Sequence, residues 1–293
     1  MGETLYLKKK RPLDAFLRGL IYFAGFFTTA LLAGIIIYIA VNGAKTIDWT
    51  FLSTVKSVAK GTYGILGYMV NTLYIIVITL IIATPLGIGA AVYLTEYAKR
   101  GRLVAFIEFA TETLSGIPSI IFGLFGMAFF GVSCHLGFSI ICGSLTLTLM
   151  ILPIIIRTTQ EAIKTVPQSY RQGALGLGAE KWHIIRTIVV PSALPGIVTA
   201  VILAIGRIVG ESAALLFTAG SSYLLPKAVS QIIPHIGESG GTMTIGLYLE
   251  MSEGNTKHAF GIALILIILV LLINALTKLI TGKIASKNNG GEK

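Results

Sequence analysis

The sequence predicts an all-α membrane protein that crosses the bilayer six times. Hydrophobic residues make up 54% of the 293 positions and charged residues only 12%, which is far from the composition of soluble globular domains. Six apolar runs approach or exceed the length of about 20 residues that a helix needs to cross a hydrocarbon core. Because backbone groups in lipid must find hydrogen bonds within the protein, such runs favour helices.

The predicted spans are separated by short or medium polar segments. They lie at residues 19–41, 67–94, 114–132, 138–156, 192–219 and 259–280. Pro85, Pro118 and Pro153 fall inside spans, where the missing N–H group favours a kink. The first apolar run is too long for a cleavable signal sequence, so we expect it to remain as a helix.

The distribution of positive charge predicts the orientation. Seventeen of the 23 Lys and Arg residues lie in the segments on the side of the termini, and five lie in the opposite set. Positive loops stay in the cytoplasm, so we expect a cytoplasmic segment 1–18, a cytoplasmic loop 157–191 and a disordered cytoplasmic tail 286–293. The net charge of +10 therefore reflects topology, and it does not indicate a nucleic-acid partner.

The longest internal cytoplasmic loop contains the stretch "RQGALGLGAEKWHIIRTIVVP" at residues 171–191. Pro167 can precede a short helix, and Gly176 and Gly178 allow a sharp turn with positive φ. A second helix with an apolar face can follow from Ala179. These features predict a helix-turn-helix along the membrane surface, either as a simple connector or as a docking element.

The spacing of this loop resembles the EAA loop of ABC-importer permeases, which runs E-A-A, three residues, G, nine residues, I-x-L-P. The matching positions are Gln172, Gly173, Ala174, Gly178, Ile188 and Pro191. Gln, Gly and Val stand here where the pattern has Glu, the first Ala and Leu. The resemblance implies that the loop is a coupling helix that docks on a separate ATPase subunit.

The chain itself is predicted to be a transport subunit and not an enzyme. It contains no G-x-x-x-x-G-K-[ST] phosphate loop, so ATP would be used by the partner ATPase. We find no metal-ligand cluster and no Ser/His/Asp grouping in a catalytic context, and we expect no cofactor. Glu108 and Glu112 are like charges four residues apart, so we expect them in water, near basic side chains.

The second informative stretch is "AIGRIVGESAALLFTAG" at residues 204–220. Arg207 and Glu211 are four residues apart in the predicted fifth span, hence on one helix face. A lone charge at a membrane helix centre costs about 2.5–3.5 kcal/mol or more, so we expect each to pair with the other or with a neighbouring helix. Such a pair could hold the bundle together, or Arg207 could present its donors to an oxyanion.

Three segments are similar to phosphate-importer permeases: "GRIVGESAALLFTAG", "ETLSGIPSIIFGLFG" and "TEYAK". Within that family, the absence of a large added extracytoplasmic region favours the A-type (PstA-like) subunit over its C-type partner. The resemblance implies a type I ABC-importer permease domain over residues 19–285, in the inner membrane of a prokaryote. It implies a second, C-type permease (PstC-like), an ATPase dimer (PstB-like) and an extracytoplasmic phosphate-binding protein (PstS-like) as partners. It also makes Arg207 and Glu211 candidates for the substrate pathway or its gate.

Other functions remain open on the sequence. An ABC permease for another oxyanion would share all of these features. A secondary anion transporter would also use a buried Arg and broken helices, but it would not need an EAA-spaced loop. An anion channel or a membrane scaffold without turnover are further alternatives.

Overall fold

The computed structural model describes residues 12–57, 61–99, 101–226 and 228–289. These residues form a helical bundle with one small hairpin. The elements are α1 (Pro12–Ala44), α2 (Trp49–Ser53), β1 (Val55–Ser57), β2 (Thr62–Ile65), α3 (Leu66–Val92), α4 (Arg102–Gly116), α5 (Ser119–Gly126), α6 (Ile140–Lys164), α7 (Gln168–Gly176), α8 (Lys181–Ile184), α9 (Val190–Gly210), α10 (Ala213–Thr218), α11 (Met243–Ser252) and α12 (Thr256–Asn289). π-helical turns extend α3, α5 and α8 at Tyr93–Tyr97, Met127–Ser133 and Ile185–Val189, and short 3-10 turns lie at Val229–Gln231 and Pro234–Gly237.

The structure confirms the all-α polytopic class. In the part of the chain it describes, five helical segments are long and apolar enough to cross a membrane: Phe16–Ala44, Leu66–Tyr97, Ile140–Lys164, Lys181–Gly210 and Thr256–Leu279. A bent pair, Arg102–Gly116 with Ser119–Ser133, makes a sixth if it is counted as one span.

The third predicted span, 114–132, is not one straight helix. α4 ends at Gly116, and α5 begins after Pro118 with the two axes 105° apart. Ile117 is extended, with φ −74° and ψ 132°, as expected for a residue that precedes proline. Pro118 thus breaks the span, whereas Pro85 and Pro153 remain inside α3 and α6.

The fifth predicted span is displaced toward the N-terminus. Its helix is continuous from Lys181 to Gly210, so the second helix of the predicted surface motif belongs to this span. The prediction that one helix runs over 192–219 is wrong at its far end, because Glu211 has an extended backbone with φ −81° and ψ 128°. Glycine at position 210 weakens the helix there, and the Glu211 carboxylate starts α10 by accepting from the Ala214 N–H at 3.0 Å.

The two ends of the chain are more helical than expected. α1 already begins at Pro12, and residues 1–11 of the basic segment lie outside the described residues. α12 runs to Asn289, so residues 286–289 are helical where the sequence predicts a disordered tail. The rest of that tail, 290–293, lies outside the described residues.

The centre of the bundle is the contact between α3 and α6. Ile75, Leu147, Ile151 and Ile155 are fully buried there. Gly87 allows the two backbones to approach, since a Cβ at that position would lie 2.5 Å from Ile155 Cγ2. α1 packs against α12 at the edge of the bundle, and its exposed aromatic and aliphatic side chains are suited to lipid.

A charged cluster fixes the hairpin at the end predicted to be extracytoplasmic. Lys56 Nζ on β1 lies 2.6 Å from Glu250 Oε1 and 3.2 Å from Glu253 Oε2. The Tyr63 ring on β2 stacks on His258 with centroids 3.8 Å apart. The buried carboxylate of Glu250 thus joins the hairpin to α11, and the stacked rings join it to α12.

Candidate functional site

The predicted turn at Gly178 is present and has a defined geometry. Gly178 has φ +81°, a conformation that glycine adopts without the strain of a Cβ. Its N–H donates to the Leu175 carbonyl at 2.9 Å, and the Ala179 N–H donates to the Ala174 carbonyl at 3.1 Å. This paired pattern is the Schellman motif that ends α7. Gly176 lies inside α7 and does not have a positive φ, so only one of the two predicted glycines makes the turn.

α7 and the turn after it pack on the bundle through two alanines and leave larger apolar side chains exposed. Ala174 and Ala179 pack on a buried cluster made of Ile163, Val166, Ile184, Val189, Ala193 and Ile197. The apolar side chains of Tyr170, Leu175 and Leu177, by contrast, are 56%, 57% and 91% exposed. We call residues 168–178 the α7 knob. It presents apolar side chains at the end of the bundle predicted to be cytoplasmic, where exposed apolar surface indicates a partner.

The EAA-like positions are divided between two elements. Gln172, Gly173 and Gly178 are exposed on the α7 knob, and Ala174 faces the cluster below it. The remaining two positions lie in the continuous helix Lys181–Gly210. Ile188 is half-buried against the same cluster, and Pro191 is exposed in the first turn of α9. Of the EAA-like positions, only Gln172, Gly173 and Gly178 are therefore placed to contact a partner through the knob.

Arg171 anchors the α7 knob to the rest of the bundle. Its Nη2 and Nε lie 2.9 and 3.2 Å from Glu96 Oε1, at the end of α3. Its Nη1 and Nη2 also donate to the carbonyls of Val166 at 2.6 Å and Ile163 at 3.0 Å. The Arg171 and Glu96 side chains are only 12% and 11% exposed. One guanidinium thus joins three elements and complements the carbonyl end of α6.

Sequence reasoning missed this anchor. The two residues are 75 positions apart, and no periodicity connects residues on different helices. The available signal was the presence of Glu96 in "TEYAK", a segment that carried the family resemblance, and of Arg171 directly before the EAA-like positions.

A polar cavity lies beside the anchor. Its volume is about 670 Å³, and its charged lining residues are Glu96, Glu108, Lys164 and Arg171. A second cavity of about 260 Å³ shares Glu108 and Lys164 and adds Glu112, Arg157 and Glu161. Glu112 Oε2 lies 3.5 Å from Arg157 Nη2, so a basic side chain does lie near this acidic pair, as expected. These cavities form a region lined by charged side chains next to the α7 knob.

Arg207 and Glu211 do not form the predicted pair. Arg207 is exposed in the last turn of α9 and has no hydrogen bond or ion pair with any described residue. Glu211 is 8% exposed and is occupied by its contacts with α10 and with Thr244, whose hydroxyl donates to the Glu211 carbonyl at 2.7 Å. The break after Gly210 separates the two side chains, because residues four apart share a face only within one helix.

The fold and these sites can be compared with known proteins. Residues 83–288 match the family described as binding-protein-dependent transport system inner membrane component. The chain belongs to this family. It is therefore a multi-pass membrane permease component of the ABC importer class, a transport subunit in agreement with the sequence analysis.

Two relatives show how far the likeness extends. The permease is 42% identical over 191 residues to the probable ABC transporter permease protein YqgI of Bacillus subtilis, an alignment that covers 65% of each chain. It is 35% identical over 229 residues to the phosphate transport system permease protein PstA homolog of Mycoplasma pneumoniae, covering 76% of this permease and 34% of that protein. The matched region thus spans less than two thirds of either relative.

A solved structure supports the fold. The permease superposes with a TM-score of 0.66 on a chain of a bacterial alginate ABC transporter, crystallised in complex with an alginate pentasaccharide-bound periplasmic protein. The superposition covers 94% of this permease and 99% of that chain at 15% identity. At this identity the likeness establishes the type I permease architecture and carries no information on substrate.

Proposed function

We propose that this permease is the A-type subunit of an ATP-driven importer of inorganic phosphate. The observation that carries the proposal is the α7 knob, an exposed apolar helix end held rigidly by Arg171. The family supports an importer driven by a separate ATPase, and the relative named for phosphate transport supports the substrate. The segments around Arg207 that are similar to phosphate-importer permeases support the same assignment.

The knob is suited to dock on an ATPase subunit. Leu177 projects from its tip with 91% of its surface exposed, and no Cβ at Gly173 or Gly178 blocks the approach of a partner backbone. A partner groove that covers the three exposed apolar side chains would gain about 25 cal/mol for each Å² of apolar surface buried. The free energy of docking would therefore reside mainly in Leu177 and its two neighbours.

The anchor transmits movement of the knob into the bundle. Arg171 connects α7 to the ends of α3 and α6, and these two helices form the centre of the core. A displacement of the knob by the ATPase would therefore move both helices together instead of deforming a flexible loop. This is the coupling that alternating access requires.

Arg207 is the candidate for contact with the substrate. Its guanidinium has no protein partner among the described residues, and an arginine presents several donors to an oxyanion in a planar fork. Glu211 would act indirectly, because its carboxylate holds the start of α10 and with it the break that follows Arg207. We propose Arg207 as a pathway residue and Glu211 as a gating residue.

The complete transporter would contain four kinds of subunit. We infer a C-type permease, an ATPase dimer that uses ATP, and an extracytoplasmic phosphate-binding protein, with both termini of this chain in the cytoplasm and the complex in the inner membrane. The excess of Lys and Arg on the side of the α7 knob supports this orientation.

Uptake by the purified complex in proteoliposomes tests the function. We expect radioactive phosphate to accumulate only with hydrolysable ATP and the binding protein, and excess sulfate to compete poorly. Uptake of another oxyanion in preference to phosphate would favour the broader ABC assignment. Uptake driven by an ion gradient without ATP would favour a secondary transporter.

A further inference from the structure

An apolar groove runs along the outside of the bundle between the end of α3 and the start of the continuous helix Lys181–Gly210. Its volume is about 580 Å³. Its lining residues include Pro85, Ile88, Tyr93, Tyr97, Trp182 and Arg186. The groove shares no lining residue with the two polar cavities, and no residue of the α7 knob lines it.

The groove changes character along its length. Along α3 it begins among aliphatic residues at Pro85 and ends at the aromatic side chains of Tyr93 and Tyr97, opposite Trp182. The distance from Pro85 to Tyr97 is about 18 Å at 1.5 Å per residue. One leaflet of a bilayer contributes about half of the 30 Å hydrocarbon core, so the groove is as long as one leaflet is deep. Tyr and Trp are enriched where hydrocarbon meets head groups.

The aromatic end of the groove carries unopposed positive charge. Arg186 is exposed and has neither a hydrogen bond nor an ion pair with a described residue. Lys181 lies with Nζ 4.9 Å from the centroid of the Tyr97 ring. No carboxylate lines the groove, the nearby Glu96 is engaged by Arg171, and Glu180 is the exposed residue before α8.

We propose that this groove binds an anionic phospholipid, with one acyl chain along α3 and the phosphate of the head group at Arg186 and Lys181. The aliphatic part is too apolar for free phosphate, which would be held by the basic end alone. Basic pockets between membrane helices on the cytoplasmic side are suited to anionic head groups. The length, the aromatic end and the charge of the groove therefore agree on one class of ligand.

A bound lipid would also affect the coupling between the ATPase and the bundle. α8 forms one wall of the groove and follows the Gly178 turn directly, so a bound lipid would brace the base of the α7 knob. This consequence rests on the proposed function, whereas lipid binding does not. The two fail separately, because binding can be measured in the absence of an ATPase.

Tryptophan fluorescence can measure binding in the groove. The chain has two tryptophans, so the Trp49→Phe variant leaves Trp182 as the only reporter. The full chain is placed in two series of nanodiscs, in which increasing fractions of either phosphatidylglycerol or phosphatidylcholine carry brominated acyl chains. We expect the brominated anionic lipid to quench Trp182 at a several-fold lower fraction than the brominated zwitterionic lipid.

Charge variants locate the site. Lys181→Gln and Arg186→Gln should each reduce the preference for the anionic lipid about fivefold, since each basic group near the membrane surface contributes on the order of 1 kcal/mol. Arg102→Gln removes an exposed charge at the start of α4 that does not line the groove, and it should leave the preference unchanged.

Three results would overturn the proposal. Equal quenching by the two lipids would show a groove with no selectivity for anionic head groups. Quenching by neither lipid would show that protein, such as a second copy of the chain, covers the groove. An equal loss of preference in the Arg102 and Arg186 variants would show a general surface charge and no site.

Discussion

Arg171 holds Glu96 through two nitrogens, with Nη2 and Nε 2.9 and 3.2 Å from the same carboxylate oxygen. The contact joins α7 to the end of α3, and the guanidinium also binds two carbonyls at the end of α6. Both side chains are nearly buried, so each needs the other to satisfy its charge. This pair attaches the α7 knob to the helices that form the bundle's core.

Removing one member of this pair should be costly. Arg171→Met or Glu96→Met alone leaves a nearly buried charge without its partner, and we expect each to lower the free energy of unfolding by about 3 kcal/mol. Each should also reduce ATP-dependent uptake. Thermal unfolding of the purified complex and uptake in proteoliposomes measure the two effects.

The double variant is the control for this interaction. With both charges removed, the loss of stability should be smaller than the sum of the two single losses, while coupling stays impaired because the mechanical connection is gone. Strictly additive losses would show that the two side chains act independently. Full uptake by the double variant would exclude the pair from coupling.

Two nearby glycines give a matched test of the turn. Gly178→Ala places a Cβ at φ +81°, which should cost about 1–2 kcal/mol. Gly176→Ala lies within α7 with open space around the new methyl group, and it should stabilise by about 0.5–1 kcal/mol. Unfolding midpoints and recovery of the ATPase should fall only in the first variant. Equal behaviour of the two would contradict a role for the turn.

Arg207 should be important for transport and not for stability. Because it has no partner among the described residues, Arg207→Ala should change the free energy of unfolding by no more than about 0.5 kcal/mol. Phosphate uptake should fall strongly in this variant and partly recover in Arg207→Lys, which retains the charge. Normal uptake by Arg207→Ala would remove this residue from the pathway.

Glu211, unlike Arg207, should be important for stability. Glu211→Ala removes the acceptor for the Ala214 N–H and should cost about 1 kcal/mol, as for other helix caps. Glu211→Gln retains an oxygen acceptor and should be close to the wild type in stability. Thermal unfolding of the two variants measures this difference, and equal losses would show that the carboxylate charge matters instead of the cap.

The ion pairs of Lys56 with Glu250 and Glu253 predict a pH dependence of stability. Burial disfavours the charged form of Lys56, but hydrogen bonds to Glu250 and Glu253 outweigh it and raise the pKa of Lys56 above 10.5. Because the pKa of Lys56 is raised in the folded state, its ion pairs contribute fully to the free energy of unfolding below about pH 10.5. This contribution is lost as the pH rises through the pKa of Lys56 in the folded state. The free energy of unfolding, measured from about pH 9 to 12, should therefore decrease at alkaline pH in the wild type, and Lys56→Gln should lack this decrease.

Lys45 provides the control for this titration. It is an exposed lysine near the same end of the bundle, so Lys45→Gln should retain the alkaline loss. A pH profile that is identical in the wild type and Lys56→Gln would show that the cluster does not set the dependence.

Local patterns in the sequence predicted the long apolar helices and the Gly178 turn, because each depends on residues close together in the chain. Apolar length predicted the long helices, and the Gly178 position predicted the end of α7. The same reasoning failed at Glu211, since apolar composition alone does not show where a glycine and a capping carboxylate end a helix. It also treated Pro118 as a kink within one span, whereas the proline separates two helices.

The anchor of the site required the three-dimensional structure. Arg171 counted only as one more positive charge in a cytoplasmic loop, and Glu96 only as part of a family-like segment. Their contact depends on the packing of α3 against α6, which no single segment encodes. The exposure of Tyr170, Leu175 and Leu177 was likewise not predictable, because it depends on how Ala174 and Ala179 pack on the buried cluster.

The most direct test of the account is recovery of an ATPase through the α7 knob. The chain is purified in mild detergent from its native membrane in three forms: wild type, Leu177→Asp, and Ile233→Asp as a control at a 77% exposed apolar residue outside the knob. The account predicts that an ATPase and a second permease are recovered with the wild type and the control, and that Leu177→Asp loses the ATPase while remaining folded. Equal recovery of the ATPase with Leu177→Asp, or its absence from all three forms, would contradict the account.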